Sequence, residues 1–144
     1  MSAPTGGACQ ATIGAALAGF RTNYITIAGG IAAALAAEEG DETFVVTTYY
    51  NPFDGTGSPY EAPVDGALLG LDGVIDCAAL TNPYNAGLND IIACVGGATG
   101  AVTADVHPAF DGDALRLTHI AEADIHPNNR GHRAIADVVI EAAQ

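Results

Sequence analysis

The stretch Thr43-Phe44-Val45-Val46-Thr47-Thr48-Tyr49-Tyr50-Asn51-Pro52 runs from β-branched and aromatic residues into a turn pair, with Asp41 shortly before it. Such a run reads as a buried strand, because branched and aromatic side chains fit a pleated surface. Upstream, Ile13, Leu17, Phe20, Tyr24, Ile27, Ile31 and Leu35 recur every three or four residues and predict one helix with a continuous apolar stripe. A bend or break is expected at Gly29-Gly30, since each Gly costs about 1 kcal/mol relative to Ala in a helix interior. Gly40 supplies the helix stop. Helix followed by strand is half of a βαβ unit. The segment from Asn51 to Pro63, rich in Pro and Gly, reads as a long loop leaving the C-terminal end of the strand. In open α/β sheets that edge is where ligands bind.

Further along, Leu88 to Val95 reads as a helix ended by Gly96-Gly97, and Ala101 to Val106 as a second strand. From His107 to Asn129 the chain reads mostly as loop, and a last helix places Ile135, Val138, Val139 and Ala142 on one face. No internal repeat or linker divides it. The expected class is α/β, with two strands and three helices making part of a parallel sheet. Strands of that kind require cover on both faces and partners on both edges. Either further strands lie in the chain, or part of the sheet comes from elsewhere, and self-association is expected.

At 144 residues the chain is one domain, or a portion of one. Its only cationic side chains are four Arg, against 17 Asp and Glu, for a formal charge of −13. No basic patch exists to displace phosphate counterions, so no nucleic-acid partner is expected. The same sign disfavours attachment to an anionic membrane. The most apolar window, Ile25 to Ala37, falls well short of the roughly 20 residues a bilayer span needs, so no membrane span is expected. Residues 1–10 have neither a basic region nor a Leu-rich one, so no export signal is expected in this chain. Cys9, Cys77 and Cys94 form no CxxC pair. One disulfide plus one thiol is allowed, and the pairing stays open.

The segment Asp124-Ile125-His126-Pro127-Asn128-Asn129-Arg130-Gly131-His132 carries the chemistry. A carboxylate and an imidazole stand two residues apart where Pro127 and Asn128 turn into a helix start. At that spacing the acid can accept from one ring nitrogen while the other faces a cleft, which is the orienting half of a hydrolase triad. An isolated Asp-x-His pair more often belongs to a capping turn. The longer run, Asp-x-His-Pro-Asn-x-x-Gly-His-x-x-Ile-Ala, resembles the C-terminal signature block of the SGNH/GDSL ester hydrolases. The Phe44 to Phe53 strand and loop, the Gly87-Leu88-Asn89-Asp90-Ile91-Ile92 segment and Ala104-Asp105-Val106 extend the likeness in order.

That resemblance implies a three-layer, flavodoxin-like parallel sheet, incomplete in residues 1–144, which would be the C-terminal portion of a secreted esterase or lipase domain. It implies His126 as general base and Asp124 as its orienting acid, with no cofactor and a small-molecule or lipid ester as substrate. Gly131 and His132 would belong to the helix start. Many members carry the Asp three residues before the His, where Ala123 stands here. The family's Gly-Asp-Ser block does not occur in the chain, so the nucleophile is missing or comes from a complementing N-terminal segment. Apart from Ser2 the sole serine is Ser58, a candidate substitute nucleophile in the loop after the first strand. A nucleophile needs a sharp strand-to-helix elbow, and Pro59 argues for a plain loop serine.

Gly87-Leu88-Asn89-Asp90 matches the family's Gly-x-Asn-Asp block literally, but residues 81–85 before it read as a turn cluster rather than a strand, which argues against an oxyanion role. His107, His119, Asp105, Asp111 and Asp113 lack metal-ligand spacing and read as surface loops. Arg130 and Arg133 flank His126, either to bind a substrate anion or as helix-surface charge. A non-catalytic α/β binding or assembly module, using its open strand edge, is the alternative to the hydrolase.

Overall fold

The computed structural model describes residues 6–82 and 85–144. Readings placed on residues 1–5, Ser2 included, and on residues 83–84 of the expected turn cluster lie outside them, as does the side chain of Cys9. Helix α1 (Gly6–Leu35) leads into strand β1 (Val45–Thr47), and after α2 (Glu61–Leu69) and a 3-10 turn (Cys77–Thr81) comes α3 (Leu88–Ala98). Strand β2 (Val102–Ala104) is followed by the short helices α4 (His107–Phe110) and α5 (Ala114–Leu117). A hairpin of β3 (Thr118–His119) and β4 (Asp124–Pro127), with a 3-10 turn at Ile120–Glu122, then feeds the closing helix α6 (Asn129–Ala142).

The molecule is mostly helical, with a parallel two-stranded sheet and a separate antiparallel hairpin. In the sheet Val45 pairs with Val102, Val46 with Thr103 and Thr47 with Ala104. The Val102 amide donates to the Phe44 carbonyl and the Thr48 amide to the Ala104 carbonyl, which extends the ladder at both ends. The strand expected over Thr43 to Tyr50 is thus shorter than its composition suggests. Beyond Thr48 the backbone of Tyr49 bonds to the Asn89 side chain instead of to a strand.

Helix α1 runs through Gly29-Gly30 without a break. Its buried stripe is Leu17, Phe20, Tyr24 and Ala28, packed with Phe44 and Leu80 around Ile91 and Val95 of α3. The predicted stripe departs from this after Tyr24, since Ile27 and Ile31 face outward and the small Ala28 turns inward. The helices approach closely: at Gly96 of α3 an added Cβ would lie 2.8 Å from a Val46 methyl and 3.3 Å from the Tyr24 hydroxyl. Arg21 closes the contact by donating to the Leu80 carbonyl.

A second cluster, of Val106, Phe110 and Leu117 with Tyr50, Ile135 and Val138, seats α6 on the other short helices. Phe110 is fully buried, and burial of such a ring is worth about 2–3 kcal/mol.

Three further expectations are corrected. The loop from Asn51 to Pro63 ends early, because α2 starts at Glu61 with Pro63 in the first turn, where the missing N–H has no intrahelical partner to lose. Helix α3 passes its expected Gly96-Gly97 stop and ends at Ala98. The span from His107 to Asn129 is ordered into two one-turn helices and a hairpin, elements too short to show a period in sequence.

Cys77 and Cys94 are disulfide-bonded, tying the 3-10 turn to α3. Closing a loop of this length is worth about 3 kcal/mol through the unfolded chain's lost entropy. Thiol titration of the denatured, unreduced protein should return one free group, that of Cys9. Three free groups would show that the bond does not form.

Candidate active site

Strand β4 carries Asp124 and His126 on the same side of a short hairpin, and their geometry follows from that spacing. One carboxylate oxygen of Asp124 accepts from the His126 amide at 2.9 Å and from its ring Nδ1 at 2.5 Å. A proton on Nδ1 leaves Nε2 as a lone-pair acceptor. The His126 side chain is 79% exposed, so that acceptor is open to a ligand. Ala123, which enters the strand, has φ of 60°, the only non-glycine left-handed residue among those described. Such a conformation costs on the order of 1 kcal/mol and is held here by the hairpin.

The His126 amide, and next its ring, hold the Asp124 carboxyl below its ordinary value. Folding therefore favours the ionised form. This contribution to stability is in place above the ordinary carboxylate range and is lost as pH falls through the lowered value. A carbon-detected NMR titration should find Asp124 ionised below the range of ordinary aspartates. His126→Ala should retain the larger part of that depression, because the amide remains. An Asp124 titrating at its ordinary position would mean that neither bond forms.

Three contacts fix the hairpin. The Tyr50 hydroxyl, just past the C-terminal end of β1, donates to the Ile125 carbonyl at 2.8 Å. Its ring stacks on Phe110 with centroids 4.0 Å apart. Burial, then the charge of Asp124, push the Tyr50 hydroxyl pKa up, so it stays a donor. Asn128 caps α6 by accepting from the amides of Arg130 and Gly131. Its own amide donates to the carbonyls of Arg116 and Thr118, both at 3.0 Å. Gly131 lies where a Cβ would meet the Leu117 carbonyl oxygen at 2.1 Å. The Asn-x-x-Gly portion of the segment therefore docks α6 onto α5, and β4 is held at both ends.

The other sequence candidates lie elsewhere. Ser58 accepts at its hydroxyl from the Tyr60 amide at 3.2 Å, and no hydrogen bond joins it to His126 among the described residues. Its loop is held by Glu61, whose carboxylate accepts from the amides of Gly55 and Gly57, and by Asp54, which accepts from the Gly112 amide. Asn89 is fully buried, with its amide engaged on both sides by the Tyr49 backbone. Asp90, buried beside it, accepts from the amides of Gly87 and Asp76 at 2.7 Å, and burial pushes its pKa up. Asn89 ties α3 to the chain beyond β1, and Asp90 caps α3 and holds the segment before the 3-10 turn.

His107 Nε2 stands 3.3 Å from Asp65, His119 pairs with Glu122, Asp105 accepts from Thr48, and Asp113 pairs with Arg116. Asp111 has its pKa raised by a hydrogen bond to Asp54. Among the described residues no three such side chains gather as a metal site. Tyr50 escaped the sequence reading as a site residue, since a strand aromatic carries no separate signal. Asn51-Pro52, which follows it directly, is the sequence feature nearest to it. No helix among those described is long and apolar enough to cross a membrane. Set against known proteins, the chain matches no protein family, no curated protein and no solved structure.

Proposed function

We propose that the chain carries the proton-transfer half of an SGNH-type ester hydrolase, whose three-layer flavodoxin-like sheet is only partly contained here. The carrying observation is the Asp124–His126 pair, with Nδ1 bonded to the carboxylate and the rest of the ring exposed. In this reading His126 takes the proton of a serine hydroxyl as that oxygen attacks the ester carbonyl. Asp124 steadies the imidazolium, the alcohol leaves with the proton, and water then releases the acyl group by the same route. The serine is supplied by a complementing segment or by Ser58, and the substrate is a small-molecule or lipid ester. The disulfide Cys77–Cys94 agrees with an oxidising, extracellular setting.

The test is hydrolysis of p-nitrophenyl butyrate by this chain alone and mixed with a segment bearing a Gly-Asp-Ser block. Turnover that depends on His126 in either arm supports the reading. Turnover indifferent to His126, or absent from both arms, overturns it. If Ser58→Ala leaves turnover unchanged, the serine belongs to the complementing segment.

A second reading, a non-catalytic assembly module, draws on a different observation. Sheet β1–β2 has two strands and no further neighbours among the described residues, and Ile13, Ile25, Ile27 and Ile31 of α1 are exposed. Open strand edges and apolar helix faces favour association. Light scattering should give a mass above that of one chain that grows with concentration. A constant single-chain mass would remove this reading.

A further inference from the structure

We propose that the cleft between α5 and α6 binds a phosphate-type oxyanion, in a site separate from the Asp124–His126 pair. The chain has four Arg and no Lys, against 17 acids. Three of the four, Arg116, Arg130 and Arg133, line a single cleft of about 360 Å³. Arg116 and Arg130 also line an adjoining hollow of about 270 Å³, together with His119 and Asn128. In so acidic a chain the gathering of nearly all fixed positive charge at one concave place is the main observation.

Local electrostatics sharpen it. Arg130 and Arg133 fall within the first turn and a half of α6, the end of a 14-residue helix where the dipole is positive, and the first turn holds no acid. The dipole opposes cations there and favours an anion. Neither guanidinium forms an ion pair or a side-chain hydrogen bond among the described residues, although Asp137 lines the same cleft. Arg116 is held through one Nη by Asp113, and its remaining N–H groups stay available. Its carbonyl is bonded to the Asn128 amide, so the two walls of the cleft are fixed to one another.

A guanidinium presents planar, forked donors that match tetrahedral oxyanions bidentately, and three forks can serve the several oxygens of one phosphate where a carboxylate occupies a single fork. His119, which borders the hollow, stands opposite Asp124 in the register of the hairpin, so the site lies beside the dyad's strand. The proposal stands on the cleft alone and is independent of the hydrolase reading.

The test follows the Arg Nε–H resonances of the full chain by NMR during titration with inorganic phosphate, ionic strength being held constant with sodium chloride. The resonances of Arg116, Arg130 and Arg133 should shift saturably in the millimolar range. Arg21 on α1, which donates to Leu80, should stay unmoved and serves as the internal control. Replacing both Arg130→Gln and Arg133→Gln should weaken binding about tenfold or more, and acetate at matched ionic strength should bind at least about tenfold more weakly than phosphate. Arg133→Lys, which keeps the charge and loses the fork, should fall between wild type and the double variant. Linear shifts, equal movement of Arg21, equal response to acetate, or undiminished binding by the double variant would overturn the site.

Discussion

His126→Ala is expected to lower ester hydrolysis by at least about a hundredfold in whichever arm of the p-nitrophenyl butyrate assay is active, and His132→Ala to leave it within about threefold. The two histidines share the segment but not the geometry. The His126 ring is held at Nδ1 by Asp124, whereas His132 has no ring partner among the described residues. Positioned proton transfer is commonly worth about a hundred- to ten-thousandfold, which sets the expected loss. Asp124→Asn should also cost about a hundredfold or more, since the amide no longer selects the Nδ1–H tautomer that leaves Nε2 basic. The loss should appear in kcat rather than KM, because neither group is asked to bind the ground state. Activity surviving His126→Ala within about threefold, under 1 kcal/mol of barrier, would assign the chemistry to another site.

Gly131→Ala is expected to destabilise the fold by about 3 kcal/mol, the upper part of the range for overpacking a tight contact. The new methyl would meet the Leu117 carbonyl oxygen at 2.1 Å and the Pro127 side chain at 2.9 Å. A backbone oxygen cannot rotate away as a side chain would, so α6 must lift from α5. Asn128→Ala should act on the same joint, costing about 2 kcal/mol through the lost cap and two carbonyls left without donors. Asn128→Asp should recover the cap but not those two bonds. Urea denaturation measures all three. A change below about 0.5 kcal/mol for Gly131→Ala would mean that the helix does not seat against Leu117.

Much of the candidate site was legible because its interactions are local. Asp124 and His126 meet through a two-residue spacing, and Asn128 caps the helix that Pro127 introduces. The rest depends on chain that returns from far away. Tyr50 reaches Ile125 across 75 positions, and Asn89 reaches Tyr49 across 40, so nothing near either residue announces the bond. The same holds for the arginine cleft, where Arg116 joins Arg130 and Arg133 only because the hairpin folds α5 against α6.

Period and composition by themselves determined the long helices, the place of β1 and β2, the acidic charge and the Asp-x-His pair, since each is a property of neighbours in the chain. Tertiary packing decided the rest. Ala28 rather than Ile27 faces inward, where it packs against Ile91 and Val95 of α3. Cys77 joins Cys94 because the 3-10 turn lies against α3. The ladder of β1 stops after Thr48 because Asn89 takes the backbone bonds of Tyr49. Such outcomes turn on which surfaces approach within a few ångströms, and a periodicity of side chains specifies a face without specifying what will meet it.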